Sequence, residues 1–364
     1  MTNKTYLFTG FPGFLSTQII KELLKQNKKV HILVLTMPGL KEQAEKSKQE
    51  IVEYTGIKTN QFTILEGDIT EENCGLTFQN QEKIVKEVSF VWHLAAIYDL
   101  AVPKNLAYKV NVEGTKHVNK LVQAIDNLER YMYFSTAYVA GVRKGKLLET
   151  ELVKPDSFHN YYEETKYYAE IEVEKGKQAV PTTIIRPGIV KGHSRTGETT
   201  KFDGPYFIMN MFDKLRYLPF FPHIGDGAAY VNVVPYDYVV QASIHFCRKT
   251  QSVGKTYHLT DPNPYTVKEV YQGILQAMLQ KTTRGTIPLW MVKKSLNLKP
   301  IRKYLGVEAQ ALDYFVWSGE FNCCEAQKDL AGSEITCPDF IKGVPKMVSF
   351  YEENKKNQFF HVVK

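Results

Sequence analysis

The chain has 364 residues, 43% hydrophobic and 23% charged, with a formal net charge of +7. That is ordinary globular composition, enough for one large or two modest domains. No apolar run approaches the roughly 18 residues of a membrane helix, and the nine histidines and five cysteines show no metal-ligand spacing, so neither a transmembrane segment nor a metal site is expected.

Met1-Thr2-Asn3-Lys4 runs straight into a strand-like segment without a secretory apolar region, and the scattered cysteines fit reduced thiols. A cytoplasmic protein is expected. The lysine-rich excess is mild. It reads as a solvated surface able to favour anionic small molecules, not as a nucleic-acid footprint.

Lys4 to Thr9 predicts a short apolar strand, followed by Gly10-Phe11-Pro12-Gly13-Phe14-Leu15-Ser16 and a helix marked by Ile19, Ile20, Leu23 and Leu24. Strand, glycine turn, helix is the context of a dinucleotide fingerprint. The glycines let backbone N–H groups approach a pyrophosphate where the helix dipole favours anions. Ser16 stands where a third small glycine is usual, and slight crowding is expected there.

Further strands are predicted at 29–35, 62–68, 89–96, 130–135 and 182–187, with a helix over 105–124. Strands alternating with helices predict an α/β fold with a Rossmann-type, doubly wound parallel sheet, whose ligand lies beyond the strands' carboxyl ends. The glycine turn, Asp68, Ala95-Ala96 and Ser135-Thr136 all fall at such ends. The second strand ends in Leu35-Thr36-Met37 without the acidic residue that selects NAD or the arginine that suits NADP. Lys41, Lys46 and Lys48 are near enough in sequence to meet a 2′-phosphate, or they form the wet face of the next helix.

Tyr162 and Lys166 lie four apart, which stacks them on one helix face. A phenol is a poor acid near neutral pH, and a neighbouring ammonium would bring it toward working range. Tyr161, Tyr167 and Tyr168 make such a pair unsurprising by itself.

The assembled motifs are Thr-Gly-x-x-Gly-x-x-Ser at 9–16, Gly67-Asp68, His93-Leu94-Ala95-Ala96, Asn111-Val112-x-Gly114-Thr115, Phe134-Ser135-Thr136-Ala137, Tyr162-x-x-x-Lys166 and Arg186-Pro187-Gly188. In this order they resemble an extended short-chain dehydrogenase/reductase. The run from Arg186 to Glu198 and Phe202-Asp203-Gly204-Pro205-Tyr206 are similar to the male-sterility branch, which holds fatty acyl-CoA reductases and thioester reductase domains.

The resemblance implies catalytic roles for Thr136, Tyr162 and Lys166. Thr136 would hydrogen-bond the substrate carbonyl oxygen, Tyr162 would protonate it, and Lys166 would hold the nicotinamide ribose and lower the Tyr162 pKa. It also implies cofactor contacts from Thr9, Gly10, Phe11, Pro12, Gly13, Phe14 and Leu15, from Thr36, Asp68 and Ile69, and from Ala95, Ala96 and Asn111. Pro187, Gly188, Ile189 and Val190 would join them. The cofactor expected is NADP(H) rather than NAD(H). Residues 1–198 would form the dinucleotide-binding domain, completed by about 230–262. Residues 199–229 and 263–364 would form the substrate-binding domain.

Val231 to Pro235 is expected to return to the sheet, followed by a helix through Phe246 and a late strand over 256–259. The large apolar groups Phe202, Tyr206, Phe207, Met209, Met211, Phe212, Leu215, Leu218, Phe220 and Phe221 fit either a channel for a fatty chain or an ordinary core. Leu289 to Leu296, with Arg302 and Lys303 beyond, is basic and amphipathic. It fits a helix packed on its own domain, a membrane surface, or the acidic face of an acyl carrier.

Three functions are compatible: an NADPH-dependent reductase of an acyl thioester or fatty aldehyde, a nucleotide-sugar epimerase with tightly held NAD, and a non-catalytic nucleotide sensor. A sugar dehydratase is disfavoured because Ala137-Tyr138 stands where those enzymes carry Asp-Glu. A homodimer is a family prior.

Overall fold

The computed structural model describes residues 4–98, 102–307 and 309–361. The leading Met1-Thr2-Asn3 of the sequence reading lies outside them. Seven parallel strands form the central sheet: β1 (Thr5–Thr9), β2 (His31–Thr36), β3 (Phe62–Glu66), β4 (Val88–His93), β5 (Arg130–Phe134), β6 (Thr182–Pro187) and β7 (Thr256–Leu259). Their spatial order is β7-β6-β5-β4-β1-β2-β3. The chain therefore winds outward from β1 to β3, crosses back to β4, and winds outward the other way. The crevice between β1 and β4, where Thr9 lies opposite His93, is the topological switch point.

Both faces of the sheet are covered, so its strands read as nearly continuous apolar runs. Alternate residues still sort by face. Tyr6, Phe8, Val34, Trp92 and Phe134 pack under α1 (Phe14–Gln26), α2 (Lys41–Thr55) and Tyr236–Arg248. Leu7, Leu33, Val91, Tyr131 and Tyr133 pack against α3 (Phe78–Glu87) and the helices after β4 and β5.

The helix expected over 105–124 is not uniform. It comprises α4 (Lys104–Tyr108), a π-turn (Lys109–Glu113) and α5 (Gly114–Gln123). The wide turn carries Asn111, and it ends at Gly114, where a Cβ would meet Ile69 Cδ1 at 2.7 Å. A π-turn inside a helix re-aims one residue without breaking the helix.

After β5 comes α6 (Tyr161–Gly176), which Asn160 caps by accepting from Glu163 N at 3.0 Å. Three further helices are α7 (Tyr206–Lys214), α8 (Tyr236–Arg248) and α9 (Val267–Leu279). They are followed by α10 (Leu289–Leu296), α11 (Lys299–Leu305), α12 (Cys324–Leu330) and α13 (Phe340–Asn354). Phe202, Tyr206, Met209, Phe212 and Phe221 are fully buried in a separate core with α9 and α13. These five groups are core.

Two segments depart from the sequence expectation. Val233–Pro235 pairs with Ile189–Lys191 in a two-stranded ribbon of its own and does not join the main sheet. Residues 323–330, expected with the substrate lobe, pack instead against the sheet through Cys323, Ala326 and Leu330. Asp329 fixes them there by accepting from Lys255 Nζ and from the Tyr257 hydroxyl.

A buried ion pair joins α6 to the sheet. Arg186 Nε donates to Glu170 Oε1 at 2.9 Å, and the Ser135 hydroxyl donates to the other carboxylate oxygen. Arg186 also donates to His258 Nε2 at 3.2 Å and to the Glu151 carbonyl at 3.0 Å. Arg186→Met would strand the Glu170 carboxylate, which is 0% exposed. We expect a loss of about 3–5 kcal/mol of stability in urea denaturation; a loss within experimental error would show that the pair does not hold α6.

Candidate active site

The glycine turn is built against the end of β4. Gly10 has φ +82°, and a Cβ there would meet Ala95 N at 2.7 Å and the Leu94 carbonyl carbon at 2.8 Å. This close approach is why β4 ends at His93 and Ala95-Ala96 run on as bare backbone beside the turn. At Ser16, where crowding was expected, the hydroxyl instead closes the turn. It donates to the carbonyl pair of Gly10 and Gly13, at 2.8 and 2.9 Å. Gly13 caps α1 with no side-chain hydrogen bond. The first-turn N–H groups, from Phe14 and Leu15 onward, thus have no side-chain acceptor from the cap, the arrangement in which helix N-termini can receive an anion.

Behind the turn runs a buried relay of hydrogen bonds. Ala95 N donates to Thr9 Oγ1 at 3.2 Å, and Thr9 Oγ1 lies 2.6 Å from His93 Nδ1. His93 Nε2 lies 3.1 Å from Thr115 Oγ1, which donates to the Asn111 carbonyl at 2.6 Å. Burial, reinforced by Lys166, pushes the His93 imidazole down to about 3, so it is neutral. Because Thr115 gives its proton to the Asn111 carbonyl, it accepts from His93 Nε2–H, which leaves Nδ1 to accept from Thr9.

Asn111 extends the relay to α6. Its Oδ1 accepts from Ile97 N at 2.8 Å and its Nδ2 donates to Thr165 Oγ1 at 2.9 Å. Thr165 precedes Lys166, so the π-turn grips the helix next to Tyr162 and Lys166.

The Thr136 hydroxyl lies close enough to the Tyr162 phenol to favour its ionised form. Thr136 ends β5 and caps the following turn by accepting from Tyr138 N at 3.3 Å. The ring of Tyr98 meets Tyr162 edge-on at 5.0 Å. Burial raises the Tyr162 phenol well above its usual range, Glu163 raises it further, and the nearby Thr136 hydroxyl opposes both. The Lys166 ammonium donates to the Phe134 carbonyl at 2.6 Å and to the Tyr133 hydroxyl at 3.1 Å, over the Tyr133 ring. The structure thus differs from the expectation that Lys166 acts directly on the Tyr162 phenol, since the ammonium is turned toward the end of β5. Burial pushes Lys166 itself down to about 7, against the raising effect of Glu170.

At the adenosine end, Thr36 is 1% exposed and donates to the Phe11 carbonyl at 3.2 Å, so it braces the turn. Lys41 reaches Glu66 Oε1 at 2.5 Å beside it. Lys48 lies 3.7 Å from Glu45 on the same helix. Asp68 Oδ1 accepts from Thr70 N at 2.8 Å, and the Ile69 carbonyl lies 2.8 Å from His117 Nδ1. At the nicotinamide end, Gly188 lies so close to Asn232 that a Cβ would meet its carbonyl oxygen at 2.8 Å. Ile189 N donates to that same oxygen at 2.9 Å, and Val190 is held in the ribbon with Val234. Burial pushes the Asp203 carboxyl up to about 6.

The NAD-binding model of the male sterility protein family matches residues 8–243. The chain belongs to that family. It is an extended short-chain dehydrogenase/reductase.

Among curated relatives of this family member, a fatty acyl-CoA reductase of Drosophila melanogaster is 28% identical over 56% of the chain and 46% of its own length. Fatty acyl-CoA reductase 1 of Gallus gallus is 26% identical over 66% of the chain and 54% of its own length. A glycine betaine reductase of Emericella nidulans is 24% identical over 74% of the chain but only 22% of its own length. The chain therefore spans about half or less of these relatives. Among solved structures, the terminal R domain of the myxalamid biosynthetic pathway superposes with TM-score 0.82 at 23% identity, covering 98% of this chain and 92% of its own. That likeness is one of fold.

A dinucleotide fits the residues of this short-chain dehydrogenase/reductase. The uncapped start of α1 and the glycine backbone beside Ala95 suit a pyrophosphate, and the lysine at the foot of α6 suits ribose hydroxyls. Among the described residues no group of three or more His, Cys, Asp or Glu could hold a metal ion. His93, Thr115 and Asn232 were missed as positioning residues. The first two stood inside quoted motifs as identities without a role, and Asn232 had no local signal.

Lys166 supplies a test in the ligand-free protein. Its folded pKa of about 7 lies below the roughly 10.4 of a free lysine. Between those values the unfolded chain binds the proton more readily, so stability rises with pH. Below pH 7 both states are protonated and the dependence vanishes. We expect wild-type stability, relative to Lys166→Met, to climb between pH 7 and 9 in urea denaturation; parallel pH profiles would contradict the buried-ammonium account.

Proposed function

We propose that the chain is an NADPH-dependent reductase of a carbonyl compound, an acyl thioester or a fatty aldehyde. The observation that carries this reading is the meeting of Thr136 and Tyr162 at the carboxyl end of β5, with the Lys166 ammonium buried behind them. The bound nicotinamide would supply hydride to the carbonyl carbon. Negative charge then grows on the carbonyl oxygen. The Thr136 and Tyr162 hydroxyls stand together, so one oxygen placed between them would receive both donors. A phenol whose pKa is raised by burial keeps its proton at neutral pH, which suits an acid awaiting a developing oxyanion. Lys166 would bind the ribose hydroxyls and gain charge as anionic cofactor enters.

Asn111 would hold the helix register through Thr165. The neutral His93 would keep the glycine turn and the π-turn in fixed relation. Preference for NADPH is supported by the end of β2, which lacks an acidic residue at Leu35-Thr36-Met37, and by Lys41, which neutralises Glu66 there. The acyl nature of the substrate rests on the fatty acyl-CoA reductases among the relatives.

The test is loss of reduced-nicotinamide absorbance with a long-chain acyl-CoA and with the matching aldehyde. We expect turnover with at least one, kcat/KM at least about tenfold higher with NADPH than NADH, and a fall of about 10²–10⁴ in kcat for Tyr162→Phe with NADPH affinity kept. Unchanged turnover in Tyr162→Phe, or a preference for NADH, would overturn the corresponding part of the proposal.

A further inference from the structure

Residues 281–307 carry Lys281, Arg284, Lys293, Lys294, Lys299, Arg302 and Lys303 and no acidic residue. Within this run, α10 and α11 turn Leu289, Val292, Leu296, Ile301 and Leu305 inward to a small core with Phe207 and Leu312. Their outward faces are not simply polar. Trp290 is 64% exposed, Met291 48%, Leu298 58% and Tyr304 59%. Single exposed apolar residues need no explanation. Four within fifteen consecutive positions of two successive helices, interleaved with exposed Lys294, Lys299 and Lys303, are more than scattered singles. Lys214 extends the set, with its ammonium 5.9 Å from the Tyr304 ring centroid.

We infer that this face docks on an anionic phospholipid surface. The run itself contains no acidic residue, and although Lys293 is paired with Asp313, Lys294, Lys299 and Lys303 are exposed. The run offers attraction that grows with the number of cations, as to a layer of phosphates. Trp290, Met291, Leu298 and Tyr304 would enter the boundary between headgroups and acyl chains, while the lysine stems lie along it with their ammonium groups in the headgroup layer. No described helix is long and apolar enough to cross a membrane, so this would be surface attachment.

The face is mechanically connected to the active site. Lys293 donates to Asp313 at 2.5 Å. The next residue, Tyr314, donates to Glu163 Oε1 at 2.5 Å and accepts from Asn160 Nδ2 at 3.0 Å, at the start of the helix that carries Tyr162. A docked α10 would thus stand one layer of contacts from the phenol. The benefit of docking rests on the acyl-substrate reading, because long acyl chains partition into bilayers; the docking itself does not depend on it.

The chain has three tryptophans, and Trp92 and Trp317 are buried at 0% and 5% exposure. Trp290 is therefore a built-in reporter. The full-length protein, without cofactor or substrate, is mixed with phosphatidylcholine vesicles with and without phosphatidylglycerol, and followed by sedimentation and tryptophan emission. We expect sedimentation with the anionic vesicles only, a blue shift that Trp290→Ala abolishes, and release by salt. The combined Lys294→Glu, Lys299→Glu and Lys303→Glu variant should lose about a hundredfold in partitioning. No sedimentation, equal binding to neutral vesicles, binding without a Trp290 shift, or binding indifferent to both salt and charge reversal would overturn the inference. So would capture by an acidic acyl carrier protein with no affinity for vesicles. Because no turnover is read, failure of the reductase proposal and failure of this one are separately visible.

Discussion

A neutral, fully buried imidazole holds the cofactor-facing edge of this protein together. His93 is 1% exposed, its pKa is pushed down to about 3, and both ring nitrogens are engaged by threonine hydroxyls. Through Thr9 it fixes the end of β1 and, beyond it, Ala95. Through Thr115 it fixes the Asn111 carbonyl and hence the π-turn. A protonated imidazole would have two donors, and Thr9 would then have to accept from both His93 and Ala95 while its own proton went unplaced. Burial prevents this, and the glycine turn and the active helix are thereby positioned from one residue in the sheet.

The same burial sets the electrostatics of Tyr162 and Lys166 in opposite directions. It raises the Tyr162 phenol and lowers the Lys166 ammonium, because in both cases the neutral form is the cheaper one to enclose. The phenol is then loaded with its proton. The lysine is poised near neutrality, where an entering anion can complete its charge. Glu170 tempers this from behind, since its carboxylate is committed to Arg186 and Ser135 and still raises Lys166.

Much of the frame was legible because it is repetitive or sterically forced. The short apolar runs of β1 to β6, the glycine turn after β1 and the four-residue Tyr162–Lys166 spacing follow from strand burial on both faces and from backbone geometry. The details that escaped depend on partners distant in sequence. The π-turn keeps an apolar spacing close to that of an ordinary helix, so Val110, Val118 and Leu121 gave no sign of it. Thr36 looked like a ribose reader, but its hydroxyl is spent on Phe11. Lys166 looked like a partner of Tyr162, but the Phe134 carbonyl lies nearer. Phe202 and Phe212 could not declare themselves core until α9 and α13 closed over them.

The central claim is that Tyr162 and Thr136 serve hydride addition to a carbonyl carbon. It is tested most directly with NADPH deuterated at the transferable position of the nicotinamide ring, offered with a long-chain acyl-CoA and separately with the aldehyde, and with product analysed by mass spectrometry. The account predicts one deuterium on the former carbonyl carbon per hydride delivered, absent in Tyr162→Phe over the same interval. Product without deuterium, or no transfer to either substrate while a nucleotide sugar is interconverted, would contradict it.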